Sequence, residues 1–221
     1  MRACLFSGGK DSTLALHKAH EMGIDVELLI TMLSENKNSY MFHYPNSRFT
    51  ELQAEALGKR HVFYSTKGEK EKELADLRKV LEENNVKTLI TGATYSKYQA
   101  DRINSMAIEL GIEHIAPLWH IDPLEELEEL ARSYEAIITA VSAEGLDETF
   151  LGKRIDKDII KRLEALNRKH GINMLFEGGE AESFVLDAPL FSKKIHVVKA
   201  SRSWNGITGI YAIEEARLED R

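Results

Sequence analysis

Residues 7–12 read SGGKDS, between a short apolar run, ACLF (3–6), and a segment whose apolar residues recur at helical spacing, TLALHKAHEMG (13–23). A chain that passes from strand to helix through two glycines is tightly constrained. The glycines open backbone conformations and close approaches denied to other residues, and the helix that follows turns its positive end toward the junction. Such a turn is built to hold phosphate. Two common phosphate loops do not fit it. A Walker A loop needs G-x-x-x-x-G-K-[ST], with a hydroxyl after the lysine to bind magnesium, whereas Asp11 follows Lys10 and Cys4 stands five residues before Gly9. A dinucleotide fingerprint needs a third glycine at fixed spacing, and none follows. What the six residues do offer is backbone N–H at Gly8 and Gly9, hydroxyls at Ser7 and Ser12, a cation at Lys10, and a carboxylate at Asp11 placed to orient magnesium on a polyphosphate.

The same order repeats along the chain. RACLFS (2–7) precedes a helix predicted over 11–22, VELLITML (26–33) a loop and a helix near 48–58, and HVFYST (61–66) a helix over 69–84 with Leu74, Leu77 and Leu81 in a stripe. KTLITG (87–92) precedes a helix near 98–110, and EHIAPLW (113–119) precedes Leu124, Leu127 and Leu130, after which EAIITAVS (135–142) follows. Short apolar runs each followed by a 3.6-period segment predict an α/β fold, a parallel sheet with helices on both faces. The last third differs. After a helix over 156–169, two extended stretches, 193–203 and 207–218, flank Asn205-Gly206, which predicts a hairpin with a type I′ turn. We therefore expect a nucleotide-binding domain over 1–130 and a smaller α+β lobe with antiparallel strands over 131–221.

Composition narrows the partners. Lys and Arg total 29 against 36 Asp and Glu, a formal net charge of −7. An acidic chain with dispersed charges argues against a nucleic acid as main partner. No run approaches the ~18 apolar residues of a membrane span, so a cytoplasmic protein is expected. The one cysteine, Cys4, lies inside an apolar run and reads as core; no pair exists for a disulfide, zinc or persulfide chemistry.

The string SGGKDS matches S-G-G-x-D-S, the signature of the PP-loop (N-type) ATP pyrophosphatases, and the chain resembles that superfamily. The resemblance implies an adenine nucleotide alpha hydrolase-like (HUP) parallel-sheet core. It implies ATP cleaved between its α and β phosphates, an adenylated substrate, and a nucleophile that displaces AMP, with Mg2+ and the loop holding the departing pyrophosphate. SYMFHYPN (39–46), TGATYSKYQADR (91–102), GLDETFLGK (145–153) and EGGEAESFVLDAPLF (177–191) resemble, in order and over nearly the whole chain, the archaeal and eukaryotic diphthine–ammonia ligases. That family amidates diphthine, a modified histidine on translation elongation factor 2, with ammonium and ATP. Other PP-loop enzymes acting on tRNA, or a nucleotide sensor without catalysis, are the alternatives; the single cysteine and the acidic balance weigh against the first. The absence of a glutaminase-type cysteine points to free ammonium. A homo-oligomer is compatible with the sequence.

The candidate site residues follow. The loop residues Ser7, Gly8, Gly9, Lys10, Asp11 and Ser12 are expected to bind ATP, with Lys10 and Asp11 catalytic and Asp11 on the metal. Gly92 and Ala93 end a central strand, where doubly wound sheets bind ligands. The backbone at Met32 and Leu33 is where superfamily members hold adenine. Glu177, Glu180 and Glu182, around Gly178 and Gly179, are expected to converge on a cation: the trimethylammonium of diphthine, the attacking ammonium, or a second magnesium. A carboxylate there could also take a proton from ammonium. Tyr98, Gln99 and Arg102 match the family's Y-Q-x-x-R, with Arg102 read as partner of a phosphate or carboxylate; His43 matches a family histidine. The chain departs from the family at Ala181, usually aromatic, at Ser183, usually threonine, and at Asn104, often glutamate.

Overall fold

In a computed structural model, which describes residues 1–34, 46–66, 70–95 and 97–221, the chain divides into two compact units, Met1–His120 and Ile121–Arg221. The first is built from β1 (Arg2–Leu5), α1 (Lys10–Glu21), β2 (Leu28–Ser34), α2 (Thr50–Leu57), β3 (Arg60–Thr66), α3 (Lys70–Glu83), β4 (Thr88–Ile90), α4 (Lys97–Leu110) and β5 (Glu113–Ile115). Its five strands lie in the order β3-β2-β1-β4-β5, every pairing parallel. The chain works outward from β1 to β3, then restarts at β4 on the other side of β1. That reversal opens a crevice at the carboxyl ends of β1 and β4, where open α/β sheets bind ligands.

Alternation along the strands explains how the helices are held. Ala3, Leu28, Ile30, Met32 and Leu89 form one buried cluster with Leu77, Val80 and Leu81 of α3 and Ile103 and Met106 of α4. Cys4 and Leu29 are the intervening residues, also fully buried, and α1 comes against β1 where the Cys4 thiol meets the Ser12 carbonyl at 3.9 Å. Burial pushes that thiol up to about 12, so Cys4 is inert core.

The second unit holds α5 (Pro123–Ser133), β6 (Glu135–Val141), α6 (Lys157–His170), β7 (Ala181–Asp187), β8 (Lys194–Trp204) and β9 (Gly209–Glu219). Its four strands lie in the order β7-β6-β9-β8, with antiparallel pairings throughout. The division falls before α5, earlier than the residue 130 expected, and β6 lies in the antiparallel sheet of the second unit. Five of its seven residues are buried, and a strand covered on both faces reads as a continuous apolar run in either kind of sheet. Strand β7 has no counterpart among the expected elements, because its polar start, Ala181-Glu182-Ser183, reads as the tail of an acidic loop.

The β8–β9 hairpin forms, but not through a type I′ turn. Only Gly206, at φ 95°, takes positive φ in the turn, and four residues, 205–208, connect the strands. Asn205 organises them: its N–H donates to the Thr208 carbonyl at 3.1 Å, and its side-chain oxygen accepts from the N–H of Ile207 at 2.9 Å and of Thr208 at 2.7 Å. The asparagine side chain closes an Asx-type turn, and that turn wins over the two-residue connection.

Helix α6 shows how sequence ends set local stability. Asp156 accepts from the N–H of Asp158 and of Ile159 at its start, Arg168, Lys169 and His170 fill its last turn, and Gly171 closes it at φ 70°. Replacing Asp156 by Ala should lower stability by about 1 kcal/mol, the usual cost of a lost N-cap, read as a lower urea midpoint with an unchanged slope.

Candidate functional site

The residues of SGGKDS form the junction from β1 to α1. Gly8 takes φ 79°, a turn closed to residues with a Cβ at low cost. Gly9 is the N-cap of α1, so the N–H groups of Lys10, Asp11 and Ser12 start the helix without intrahelical acceptors and point along its axis. The two serines brace the loop. Ser12 Oγ donates to the Gly9 carbonyl at 3.2 Å and accepts from Ser7 N–H at 3.2 Å. Ser7 Oγ accepts from Gly9 N–H at 3.3 Å and lies 3.2 Å from Ser12 Oγ. With the Ser12 proton on Gly9, the Ser7 proton goes to Ser12, and both hydroxyls expected on phosphate are spent on the loop itself. Backbone N–H groups remain as its anion donors. Lys10 is buried and its ammonium pairs with the Asp11 carboxylate.

The loop is held from two sides by residues that the sequence did not single out. On the β2 side, Gln53 of α2, fully buried, donates to the Gly8 carbonyl at 2.9 Å. Thr31 of β2 donates to the Phe6 carbonyl at 2.7 Å, while Thr50 donates to the Ser47 carbonyl at 2.7 Å. Both hydroxyl protons are thereby used, so His61 Nε2, 2.8 Å from Thr31 Oγ1 and 3.4 Å from Thr50 Oγ1, carries a proton and donates. Burial lowers His61 to about 4, which keeps this imidazole neutral. The carbonyls of Gly8 in the phosphate loop and of Phe6 just before it are thus satisfied. No short motif signals these contacts, since Gln53 reaches Gly8 across 45 residues.

On the β4 side, Gly92 touches the loop directly. A Cβ at Gly92 would stand 2.6 Å from the Asp11 carbonyl carbon and 2.7 Å from Ser12 N. The glycine expected to admit a ribose or phosphate in fact admits the backbone of the phosphate loop. Beside it, Thr91 Oγ1 lies 2.8 Å from His114 Nε2, and His114 Nδ1 bonds Asn104 Oδ1. The amide oxygen fixes the proton on Nδ1, so Nε2 accepts from Thr91. Burial lowers the His114 pKa, consistent with a neutral acceptor. Asn104 therefore has a partner and a task, holding His114 against the β4 end.

The remaining candidates fall into three groups. Met32 and Leu33 lie past the point where β1 stops pairing with β2, at Leu5↔Ile30, and keep β3 as strand partner through Met32↔Tyr64 and Leu33↔Ser65; one backbone edge there faces the crevice. Arg102 lies on α4 and lines a groove of about 430 Å³ between α3 and α4 with Leu74, Arg78, Asp101, Ser105 and Glu109. His43 and the side chains of Tyr98 and Gln99 lie outside the described residues.

In the second unit, the acidic stretch does not act as a trio. Glu180 accepts from Asn173 N–H at 2.9 Å and Gly178 N–H at 2.8 Å, closing the loop that precedes β7, while its own carbonyl accepts from Ser142 N–H at 2.8 Å. A Cβ at Gly178 would stand 2.8 Å from the Glu180 carboxylate, so this carboxylate packs close against the glycine. Glu182 is paired across to Ala140 in the sheet, and Glu177 stands in the loop. Among the described residues no three His, Cys, Asp or Glu side chains are grouped to hold a metal ion. Among the described residues no helix is long and apolar enough to cross a membrane.

Known proteins resemble the chain over both units. The family described as the diphthamide synthase N-terminal domain matches residues 1–114, and the diphthamide synthase C-terminal domain matches residues 122–218. Diphthine–ammonia ligase of Homo sapiens is 32% identical over 219 residues, covering 88% of this chain and 82% of its own; that of Bos taurus is 33% identical with the same coverage. A solved chain from Methanocaldococcus jannaschii, described as a "predicted subunit of tRNA methyltransferase", aligns at 16% identity and TM-score 0.45, covering 85% of this chain and 97% of its own.

Two outcomes follow from the geometry. Gly92→Ala should weaken ATP binding at least tenfold, because the new methyl displaces the backbone at Asp11 and Ser12; isothermal titration with ATP reads it. His61 and His17, the latter on α1 with Nδ1 at 2.8 Å from the Thr13 carbonyl, are both lowered to about 4 by burial. Their unfolded values lie near ~6.5, so the unfolded chain binds more protons between these limits. Stability should be level above pH ~6.5 and fall as pH drops toward ~4; urea midpoints across pH check this, and His61→Gln should flatten the slope.

Proposed function

The chain belongs to the diphthamide synthase family, and from that premise we propose that it amidates diphthine on translation elongation factor 2 with ammonium and ATP, through an acyl-adenylate, releasing AMP and pyrophosphate. The observation that carries this reading is the braced SGGKDS loop at the crevice between β1 and β4, with helix N–H groups directed outward. A substrate borne on a translation factor puts the reaction in the cytoplasm. Free ammonium supplies the nitrogen.

Each residue has a proposed task. The N–H groups of Lys10, Asp11 and Ser12 bind the β and γ phosphates that leave as pyrophosphate, and the Lys10 ammonium balances their charge. Adenine lies along the open edge of Met32 and Leu33, with Gly92 and Ala93 bounding the ribose side. Asp11 fits Mg2+, which keeps several waters and takes only one or two carboxylates besides phosphate oxygens; its carboxylate, 31% exposed, is reachable. The ion, when bound, screens polyphosphate charge. Arg102, His43, Tyr98 and Gln99 are assigned to the acceptor carboxyl and its surroundings. In the second unit Glu177 and Glu182 serve as the carboxylates that meet ammonium and accept its proton, since only neutral ammonia is a nucleophile, while Glu180 with Gly178 and Gly179 shapes the loop.

The assay is chromatographic. Protein, ATP, magnesium, ammonium and diphthine-bearing elongation factor are combined, each is omitted in turn, and AMP and ADP are quantified. AMP that requires both ammonium and the factor is expected; AMP without the factor would mean a different acceptor, and no AMP a nucleotide sensor. Asp11→Asn, which keeps a hydrogen-bond acceptor beside the buried Lys10 but removes its counter-charge, should lower the melting temperature yet leave the chain folded at the assay temperature, and lower AMP formation by about a hundredfold, on the order of one lost transition-state charge contact.

A further inference from the structure

Two loops leave the carboxyl ends of β4 and β5 side by side and bring three aromatic rings together. Thr91 N–H donates to the Ile115 carbonyl at 3.0 Å, and His120 N–H donates to the Thr94 carbonyl at 3.0 Å. The His120 ring stands edge-on to Tyr95, with centroids 5.4 Å apart at 83°, and to Trp119, 4.9 Å apart at 82°. His120 takes φ 62°, a conformation that is uncommon for a residue with a Cβ. Tyr95 remains 38% exposed and Trp119 37%. Two large rings left exposed about a left-handed residue, where the β4 and β5 loops meet, are more than scattered surface apolar groups.

Exposed aromatic rings gathered at one place suit a rounded cation. Ring faces are negative and attract positive charge, and quaternary ammonium groups are the ligands for which aromatic clusters serve best, because they donate no hydrogen bond and are weakly hydrated. Resting on the function proposed above, we propose that Tyr95, Trp119 and His120 seat the trimethylammonium group of diphthine. That group is carried on the carbon bearing the carboxyl to be amidated, so its seat must adjoin the reacting centre. Tyr95 follows by three residues the Gly92 that touches the phosphate loop, a reach of at most about 10 Å. The acidic stretch suits this group less well: the Glu180 carboxylate is already bound by two backbone N–H groups, and a methylated nitrogen has no N–H to offer the others.

The test uses the whole chain. Trp119→Leu and Tyr95→Leu should each raise KM for the diphthine-bearing factor by about tenfold, within the range of a desolvated cation–π contact, with KM for ATP and the melting temperature unchanged. Trp119→Phe, which keeps a ring, should recover most of the loss. Tetramethylammonium chloride, against sodium chloride at equal ionic strength, should inhibit competitively with the factor and, in a Trp204→Phe background, change the fluorescence of Trp119. An unchanged KM for the factor in both leucine variants, a rise in KM for ATP instead, or inhibition competitive with ammonium overturns the seat. Should the wild-type protein form no diphthamide, the proposed reaction falls, and the fluorescence titration still decides the seat: a saturable change that Tyr95→Leu removes supports it, and no change overturns it.

Discussion

A single hydrogen atom is all that Gly92 places against the backbone of Asp11 and Ser12, and the crevice depends on that close approach. It brings the end of β4 against the start of α1 at the point where the strand order reverses. From the other side, Gln53 and Thr31 take the Gly8 and Phe6 carbonyls. A loop clamped on both flanks, with its serines bonded to each other and to Gly9, holds one shape before any ligand arrives. Donors fixed in advance lose little on binding, which is where preorganised sites gain over water. The fold therefore contributes to the chemistry through the spacing of two strands as much as through side chains at the loop.

The first unit was largely legible because its determinants are local or periodic. An apolar run, two glycines and a 3.6-residue period describe β1 and α1 without reference to anything distant. The second unit was less legible for a physical reason. β6 is buried on both faces, so EAIITAV carries no period that separates parallel from antiparallel pairing, and β7 opens with polar residues that a strand edge tolerates. The turn at Asn205 went to side-chain hydrogen bonding rather than to paired positive φ. At the site, residue types announced the loop, but the contacts of Gln53, Thr31 and His61 join positions far apart in sequence. Glu180 is the instructive case: its charge suggested a ligand, and its two backbone donors give it a structural task instead.

Lys10 and Asp11 share a further constraint. The ammonium is almost wholly buried and the carboxylate beside it is about one-third exposed. A buried cation is costly unless it is paired and hydrogen-bonded, so in the unliganded loop Asp11 serves Lys10. Polyphosphate offers the same ammonium a stronger partner and draws a divalent cation that competes for the same carboxylate. Under the proposed reaction, exchange of partners within the pair would let one loop be stable without nucleotide and charge-matched with it.

Three cations that the proposed reaction handles differ in what they ask of a protein. Magnesium is hard and strongly hydrated, and one carboxylate among phosphate oxygens suffices. Ammonium donates hydrogen bonds and must lose a proton, which calls for a carboxylate acceptor. Trimethylammonium neither donates nor titrates, and a polarised aromatic surface holds it at the least desolvation cost. A chain that served all three with acidic residues alone would have no means of telling them apart. In the proposed reaction, rings on the β4 and β5 loops, a carboxylate at the head of α1 and acidic residues before β7 would separate the three by chemistry rather than by charge.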